Sequence, residues 1–465
     1  MGTITSIMDI AQQALMADQD ALNVTANNVA NQNTPGYTRE VVNFQSVDAV
    51  TLSGLSVGSG VTVTATSQRD RVLEQRVQQQ TQVEAQSGAL ESALQQIQNI
   101  FGLSSTSSSA SATALGTATT SFFSALTALS SDPADTATRQ NVLSAANALA
   151  GAFNSSANQL AQVSSSLNQQ VVGDVSQVNS LTTTIASLNA QITSISPNGD
   201  AGTLEDQRQS AIAQLSQLVG LDQISTENNG ITLTTSNGAV LVSGSKSFAL
   251  STTQIGGTTH ILAGVDGQDV TSNLTGGDLG GVLQARDQQL PSYQSSLDSL
   301  AFNIGTQVNQ QNEQGVDLNG NPGAALFTLS PTQSGAAASI QVATTDPSAI
   351  AAAAPGEGSA GNSNILAGLS NPNVDGGQVA AQFLASFFGQ IGSDTSAAST
   401  SNSADQATLT QLTTQRDSLS GVSLDEEASN LTQYQRAYQA AAQVFNIANT
   451  VMASALNLGV ETSVT

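Results

Sequence analysis

The sequence predicts a mainly α-helical chain interrupted by a β insertion. Three observations carry this reading. Apolar residues recur at 3-4 spacing near both ends, no Pro or Gly occurs between Gly421 and Gly459, and near residue 221 the period drops to two. The length of 465 residues allows roughly two to four domains at about 150 residues each.

At the N-terminus, Ile7, Ile10, Ala14, Ala17, Ala21 and Val24 follow the spacing of a heptad seam, and Met8, Leu15, Leu22 and Val29 widen it. The pattern stops at Asn33-Thr34-Pro35-Gly36-Tyr37. There Pro sets the first central position of a type II turn and Gly supplies the positive φ of the second. At the far end, Ser423-Leu424-Asp425-Glu426 reads as a capping box. Beyond it Leu424, Leu431, Tyr438, Phe445 and Met452 recur every seven residues along one uninterrupted helix. Whether the two end helices pair parallel or antiparallel does not follow from periodicity.

Between the ends, helical patterns cover 69–100, 139–195, 203–218, 279–313 and 378–419. Residues 104–120 are low in complexity, with Ser, Thr or Ala everywhere except Leu115 and Gly116. Ile231–Thr234 and Ala239–Val242 alternate around a Ser236-Asn237-Gly238 turn, as short strands do. The expected division has three parts. Residues 1–60 with 421–465 form a coiled-coil-like inner domain of paired terminal helices. Residues 61–220 with 276–316 and 377–420 form a helical bundle in the middle. Residues 221–275 with 317–376 form a β-rich outer domain.

Composition removes several function classes. The charge is 10 Lys+Arg against 34 Asp+Glu, a net −24, with Lys246 the single lysine, so neutralising a nucleic-acid backbone is out of reach. Without cysteine there are no disulfides, thiol nucleophiles or thiolate metal sites. One histidine, His260, leaves little for a catalytic triad or a metal centre. No cofactor and no metal are expected, and the chain reads as a non-enzyme. No apolar run reaches a membrane span, and the first fifteen residues lack the basic start of a cleavable signal.

Local motifs do not change this. Ser243-Gly-Ser-Lys246 imitates a nucleophile pair but falls between strand-like runs, where a turn is expected. Asp317-Leu-Asn319-Gly-Asn321-Pro322 imitates a calcium loop, yet Pro322 takes the obligatory glycine position. The three carboxylates Asp425, Glu426 and Glu427 read as a helix start complementing the dipole. What remains informative is packing at the two ends.

The run Ala26-Asn27-Asn28-Val29-Ala30-Asn31-Gln32-Asn33-Thr34-Pro35-Gly36-Tyr37-Thr38 resembles the N-terminal signature of the bacterial flagellar rod, hook and hook-associated proteins, an axial family. Residues 420–428 and 434–444 resemble that family's closing helix. The block Gly276–Asp287, with Leu290–Tyr293, Leu297–Ala301 and Gly315–Gly323, narrows the resemblance to the hook-associated members.

The resemblance implies an elongated multidomain axial protein located in the flagellum outside the cell. It implies a structural subunit of the junction layer between hook and filament, built through its terminal helices. Implied partners are identical subunits, hook-side proteins, and the filament-side junction protein or flagellin. Export would follow the flagellar type III channel without a cleavable signal, with a chaperone on the C-terminal helix. Residues 221–376 are short for the family's outer region. Terminal helices rich in Ala and Gln, with few large apolar groups, are weak alone and should order as neighbours arrive.

Overall fold

The computed structural model describes residues 2–34, 36–47, 50–52, 55–57, 60–103, 113–195, 200–225, 229–264, 266–354, 361–368 and 380–461. Pro35 of the turn motif, most of the low-complexity run, 355–360 and 369–376 of the expected outer domain, and 377–379 of the expected bundle lie outside these residues. The chain begins with helix α1 (Gly2–Asn31). A ribbon of β1 (Glu40–Ser46), β2 (Val50–Leu52), β3 (Leu55–Val57) and β4 (Val61–Ser67) follows, with β1 antiparallel to β4 and β2 to β3. Then come helices α2 (Arg71–Ile100), α3 (Ala114–Ser131), α4 (Thr136–Ile195) and α5 (Thr203–Leu218).

Two small antiparallel sheets follow. One orders β5 (Leu221–Ser225), β6 (Ile231–Thr235), β7 (Val240–Ser243) and β8 (Lys246–Ser247) in sequence; the other places β10 (Thr258–Ala263) between β9 (Ser251–Ile255) and β11 (Gln268–Asp269). Helix α6 (Gly277–Gln284) passes through a π-helical turn, Ala285–Gln289, into α7 (Leu290–Glu313). Pro291 has no N–H to continue the α ladder, and the widened turn absorbs the mismatch, with Leu290 N donating to Ala285 O. A two-strand pair, β12 (Phe327–Thr328) and β13 (Gln341–Val342), brackets the short α8 (Ala336–Ser339). The chain ends in α9 (Gly361–Gly368), α10 (Ala380–Ser420) and α11 (Leu424–Glu461). The architecture is mainly α with β insertions.

The predicted helices appear close to their expected bounds. The ribbon β1–β4 and helix α3 do not follow from the periodic pattern. In α3, Ala, Thr and Ser fill the exposed side while Leu115, Phe122, Leu126 and Leu129 bury a stripe. The glycines of the 276–281 block serve close approach: Gly276 and Gly277 take positive φ beside the backbone of Leu218–Gly220. Gly281 lies against the Gln86 carbonyl and Ala89 of α2, where a Cβ would collide.

Two apolar clusters organise the body. One gathers α3, the first half of α4, α7, α10 and residues 326–352 around Phe122, Phe153, Leu160 and Phe327. The other joins the second half of α4 with α5, α6 and the sheets through Val171, Val178, Leu215, Leu233 and Ile261. The two segments expected to make one outer domain therefore pack on different clusters. Residues 221–275 lie against the far half of α4, and 317–354 against its first half, because each supplies its own apolar face. The expected boundary at residue 60 also moves: β4 runs to Ser67 and pairs with β1 along its full length.

Candidate functional site: the terminal helix pair

Helices α1 and α11 pack along one another, and the ribbon lies on α1. Their direction follows from what shares a level. Arg39, just past the end of α1, bonds Glu426 and Glu427 at the start of α11. Farther along, Phe44 meets the Tyr434 ring at 5.9 Å, and Gly60 sits against Gln13. The pairing is antiparallel.

The covered stripe of α1 runs through Ala11, Ala14, Asp18, Ala21, Thr25 and Asn28, a regular 3-4 progression. The expected seam lies one step round the helix. It coincides with this stripe at Ala14 and Ala21, and Ala17 is buried beside it. Ile10 and Val24 are half-buried, and Ile7 is exposed. Half of the covered positions are polar. On α11, Leu431, Phe445 and Met452 are half-buried, whereas Leu424 and Tyr438 are exposed; Glu427 and Ala448 are the most buried. Val444, Ile447 and Val451, at i, i+3 and i+7, form a second apolar face left in solvent, with Ile447 64% exposed.

The turn motif is a set of bonds holding the ribbon to the helix. Asn28 donates through Nδ2 to Glu40 O (2.8 Å), and its Oδ1 accepts from Glu40 N (3.0 Å) and Tyr37 Oη (2.9 Å). Asn31 Nδ2 donates to Asn27 Oδ1 (2.7 Å), and Thr34 Oγ1 donates to Asn31 Oδ1. Tyr37 N closes the turn on Thr34 O at 3.1 Å, and Gly36 has φ +79°, as a type II turn requires. Burial, then the charges of Glu40, Asp206 and Glu427, push the Tyr37 hydroxyl above its ordinary pKa, so it remains a donor. Burial raises the Asp18 carboxyl inside the seam for the same reason.

Two arginines, neither singled out by the motif search, anchor this unit. Arg39 donates from Nε to Glu427 Oε1 (2.7 Å), bonds Glu426 through Nη1, and donates its backbone N–H to Ser420 O (2.9 Å). Glu426, expected to close a capping box, turns to Arg39 instead. Arg69, between β4 and α2, bonds Glu205 (2.5 Å) and Asp206 at the start of α5, with Glu74 at 3.5 Å. The Asp206 carboxylate also accepts Thr38 N at 3.1 Å. Each acidic pair could have been noticed as adjacent carboxylates in a helix first turn, but its partner lies 136 to 388 residues away.

The motifs set aside on sequence grounds behave as turns and strands. Ser243 and Lys246 face each other across the β7–β8 turn. His260 stands on β10 with Nδ1 2.7 Å from Asp269 Oδ2. The Asp317 carboxylate accepts from the backbone N–H of Asn319 and Asn321. Among the described residues, no group of three or more His, Asp or Glu is placed to hold a metal, and no helix is long and apolar enough to cross a membrane.

Comparison with known proteins agrees along the whole chain. Residues 94–327 match the family model of the flagellar hook-associated protein FlgK helical domain. Residues 8–38 match the flagella basal body rod protein model, and 414–458 the C-terminal model of the flagellar basal body rod FlgEFG proteins. The chain is similar to flagellar hook-associated protein 1 of Escherichia coli (strain K12), 26% identical over 98% of this chain and 100% of that one. It is likewise similar to flagellar hook-associated protein 1 of Bacillus subtilis (strain 168), 28% identical over 97% of each. The solved flagellar hook junction protein FlgK from Burkholderia pseudomallei shares the fold, with a TM-score of 0.67 at 20% identity over 74% of this chain and 100% of that one. The chain belongs to the FlgK family of flagellar hook-associated proteins, structural components of the flagellum and not known enzymes.

Proposed function

We propose that this protein forms the junction layer between hook and filament by packing its terminal helices against those of identical subunits. One observation carries the reading most directly: α11 covers only part of its apolar circumference with α1. Val444, Ile447 and Val451 on one flank, and Leu424, Tyr438 and Leu456 on the other, face solvent. Apolar faces of this kind on both sides of a helix suit neighbours on both sides. In this reading, Ile7, Ile10, Ala14, Ala17, Ala21 and Val24, with Leu424, Leu431, Tyr438, Phe445 and Met452, are packing positions divided between the partner helix and adjacent copies.

The subunit meets hook proteins on one side and a filament-side junction protein or flagellin on the other. It reaches that place unfolded through the flagellar export channel, with a chaperone on the C-terminal helix and no cleavable signal. The lack of cysteine suits such passage, since no crosslink can form on the way. The test is a motile strain carrying only a chain deleted of residues 430–465. Hooks form, filaments do not, and flagellin accumulates in the medium; filaments of normal length on that strain would refute the reading.

A further inference from the structure

The terminal unit and the helical body are joined covalently at two places, Gln68–Asp70 and Gly421–Ser423, between the unit's last strand or first helix and the body's α2 and α10. Both apolar clusters are built from body residues alone: among the described residues, neither includes any position in 2–67 or 424–461. No shared apolar core therefore sets the angle between the two parts. The space where they meet is a polar cavity of about 250 Å³, lined by Tyr37, Thr38, Gln78, Gln214, Arg416 and Ser420. The Ser420 hydroxyl is buried there without a hydrogen-bond partner.

What does cross the joint is charged. At the first link, Arg69 holds Glu205 and Asp206 of α5, while Asp206 also takes Thr38 N and Asp200 takes Ser67 N. At the second, the Arg39 backbone N–H donates to the Ser420 carbonyl of α10, while its guanidinium holds Glu426 and Glu427 of α11 and so ties the ribbon to α11 within the unit. Each link thus pairs one arginine with two successive carboxylates in the first turn of a helix, where the helix dipole already favours them. A planar guanidinium bonding two carboxylates fixes direction as well as distance, which a lysine would not do. Both guanidiniums are largely covered, so water competes weakly for the bonds.

We propose that Arg69, held by Glu205 and Asp206 while Asp206 also takes Thr38 N, is a positioning residue that clasps the terminal helix pair at one angle on the body, so that every copy presents its assembly helices alike. The consequence for assembly rests on the reading above; the clasp itself is a property of the monomer. Because the chain has no cysteine, Gln19→Cys on α1 and Ala190→Cys on α4, both exposed, take spin labels at those two sites alone. Distance distributions are then measured on the full-length monomer.

The parent gives one narrow distance. Arg69→Met shifts and broadens it, Arg69→Lys restores only part of the narrowness, and Arg39→Met, which keeps the backbone bond to Ser420, changes it less than Arg69→Met does. Arg69→Met leaves carboxylates buried without a partner, so a second version adds Glu205→Gln and Asp206→Asn to keep the body folded. An unchanged narrow distance in that folded, charge-compensated variant overturns the clasp. A parent that fails to add to isolated hooks, alongside broadened variants, sinks the assembly reading and leaves the clasp standing. Broadened variants that add to hooks as fast as the parent overturn the claim that the angle serves assembly.

Discussion

The body around α4 and the terminal pair solve the same problem in opposite ways. In the body, Phe122, Phe153, Leu126, Leu160 and Ile185 are wholly buried, and strands and helices from distant parts of the chain close over them. In the terminal pair, the covered stripe of α1 is Ala, Asp, Thr and Asn, and on α11 Leu431, Phe445 and Met452 are only half-buried while Val444, Ile447 and Val451 face outward. The body closes two fully buried apolar clusters within one chain. The pair holds its two helices together with small side chains, polar bonds and half-buried apolar groups, and leaves Val444, Ile447 and Val451 exposed. Burial of a Leu or Ile side chain stabilises by roughly 1.5–3 kcal/mol, so the body, with its fully buried side chains, carries more of the chain's stability than the terminal pair does.

The comparison breaks most visibly in the body. Phe153→Ala opens a cavity beside Phe122 and Leu160 and is expected to cost about 3–5 kcal/mol, read as a lower urea midpoint. A loss under about 1 kcal/mol would mean that this core is looser than the burial of its residues implies.

A second change sharpens the contrast in how the body treats charge. Asp174 on α4 is 94% buried, its Oδ2 has no hydrogen-bond partner, and burial together with the Asp278 charge pushes its pKa up to about 6. An unfolded Asp titrates near about 3.9. The folded chain therefore holds the proton more tightly, and the resulting stability is complete below about pH 4 and lost as pH rises through about 6. Asp174→Asn should raise stability near neutral pH by about 2–3 kcal/mol and flatten the slope of stability between these values. Denaturation curves across that range check it; a slope equal to the parent's would exclude Asp174 as its source.

The smallest effect on the monomer is predicted at the outward face. Val444→Ser with Ile447→Ser should change monomer stability by no more than about 0.5 kcal/mol, since neither side chain is covered. The same pair should abolish addition to hooks in a sedimentation assay. Loss of monomer stability with normal addition would place this face inside the subunit's own packing instead.

Much of this was legible from residues alone. Leu160, Leu167, Val171 and Val175 mark the buried side of α4 by spacing, and Asn27, Asn28, Asn31, Thr34, Gly36 and Tyr37 mark the turn. The ribbon β1–β4 was not legible, because Val-Thr alternation that is exposed on most of its length lacks the apolar contrast that reveals a strand. The stripe of α1 that its own chain covers was not legible, because Asp18, Thr25 and Asn28 occupy half of it. Thr25 is satisfied by the Ala21 carbonyl one turn back and Asn28 by the ribbon, and only the second partner lies outside the helix. Arg39 and Arg69 looked like scattered charges because nothing local shows what a guanidinium will meet across the fold.

The sequence by itself determined the helices, the turn after α1, the absence of catalytic or metal-binding residue sets, and the matched signatures at the two ends. Those follow from periodicity, turn chemistry and residue inventory, which act over a few positions along the chain. Only the packing of distant segments shows that the ends pair antiparallel, that the β segments divide between two cores, and that Arg69 ties the joint to α5. These depend on side chains brought together from hundreds of residues apart, and no local pattern specifies which distant surface will be there to receive them.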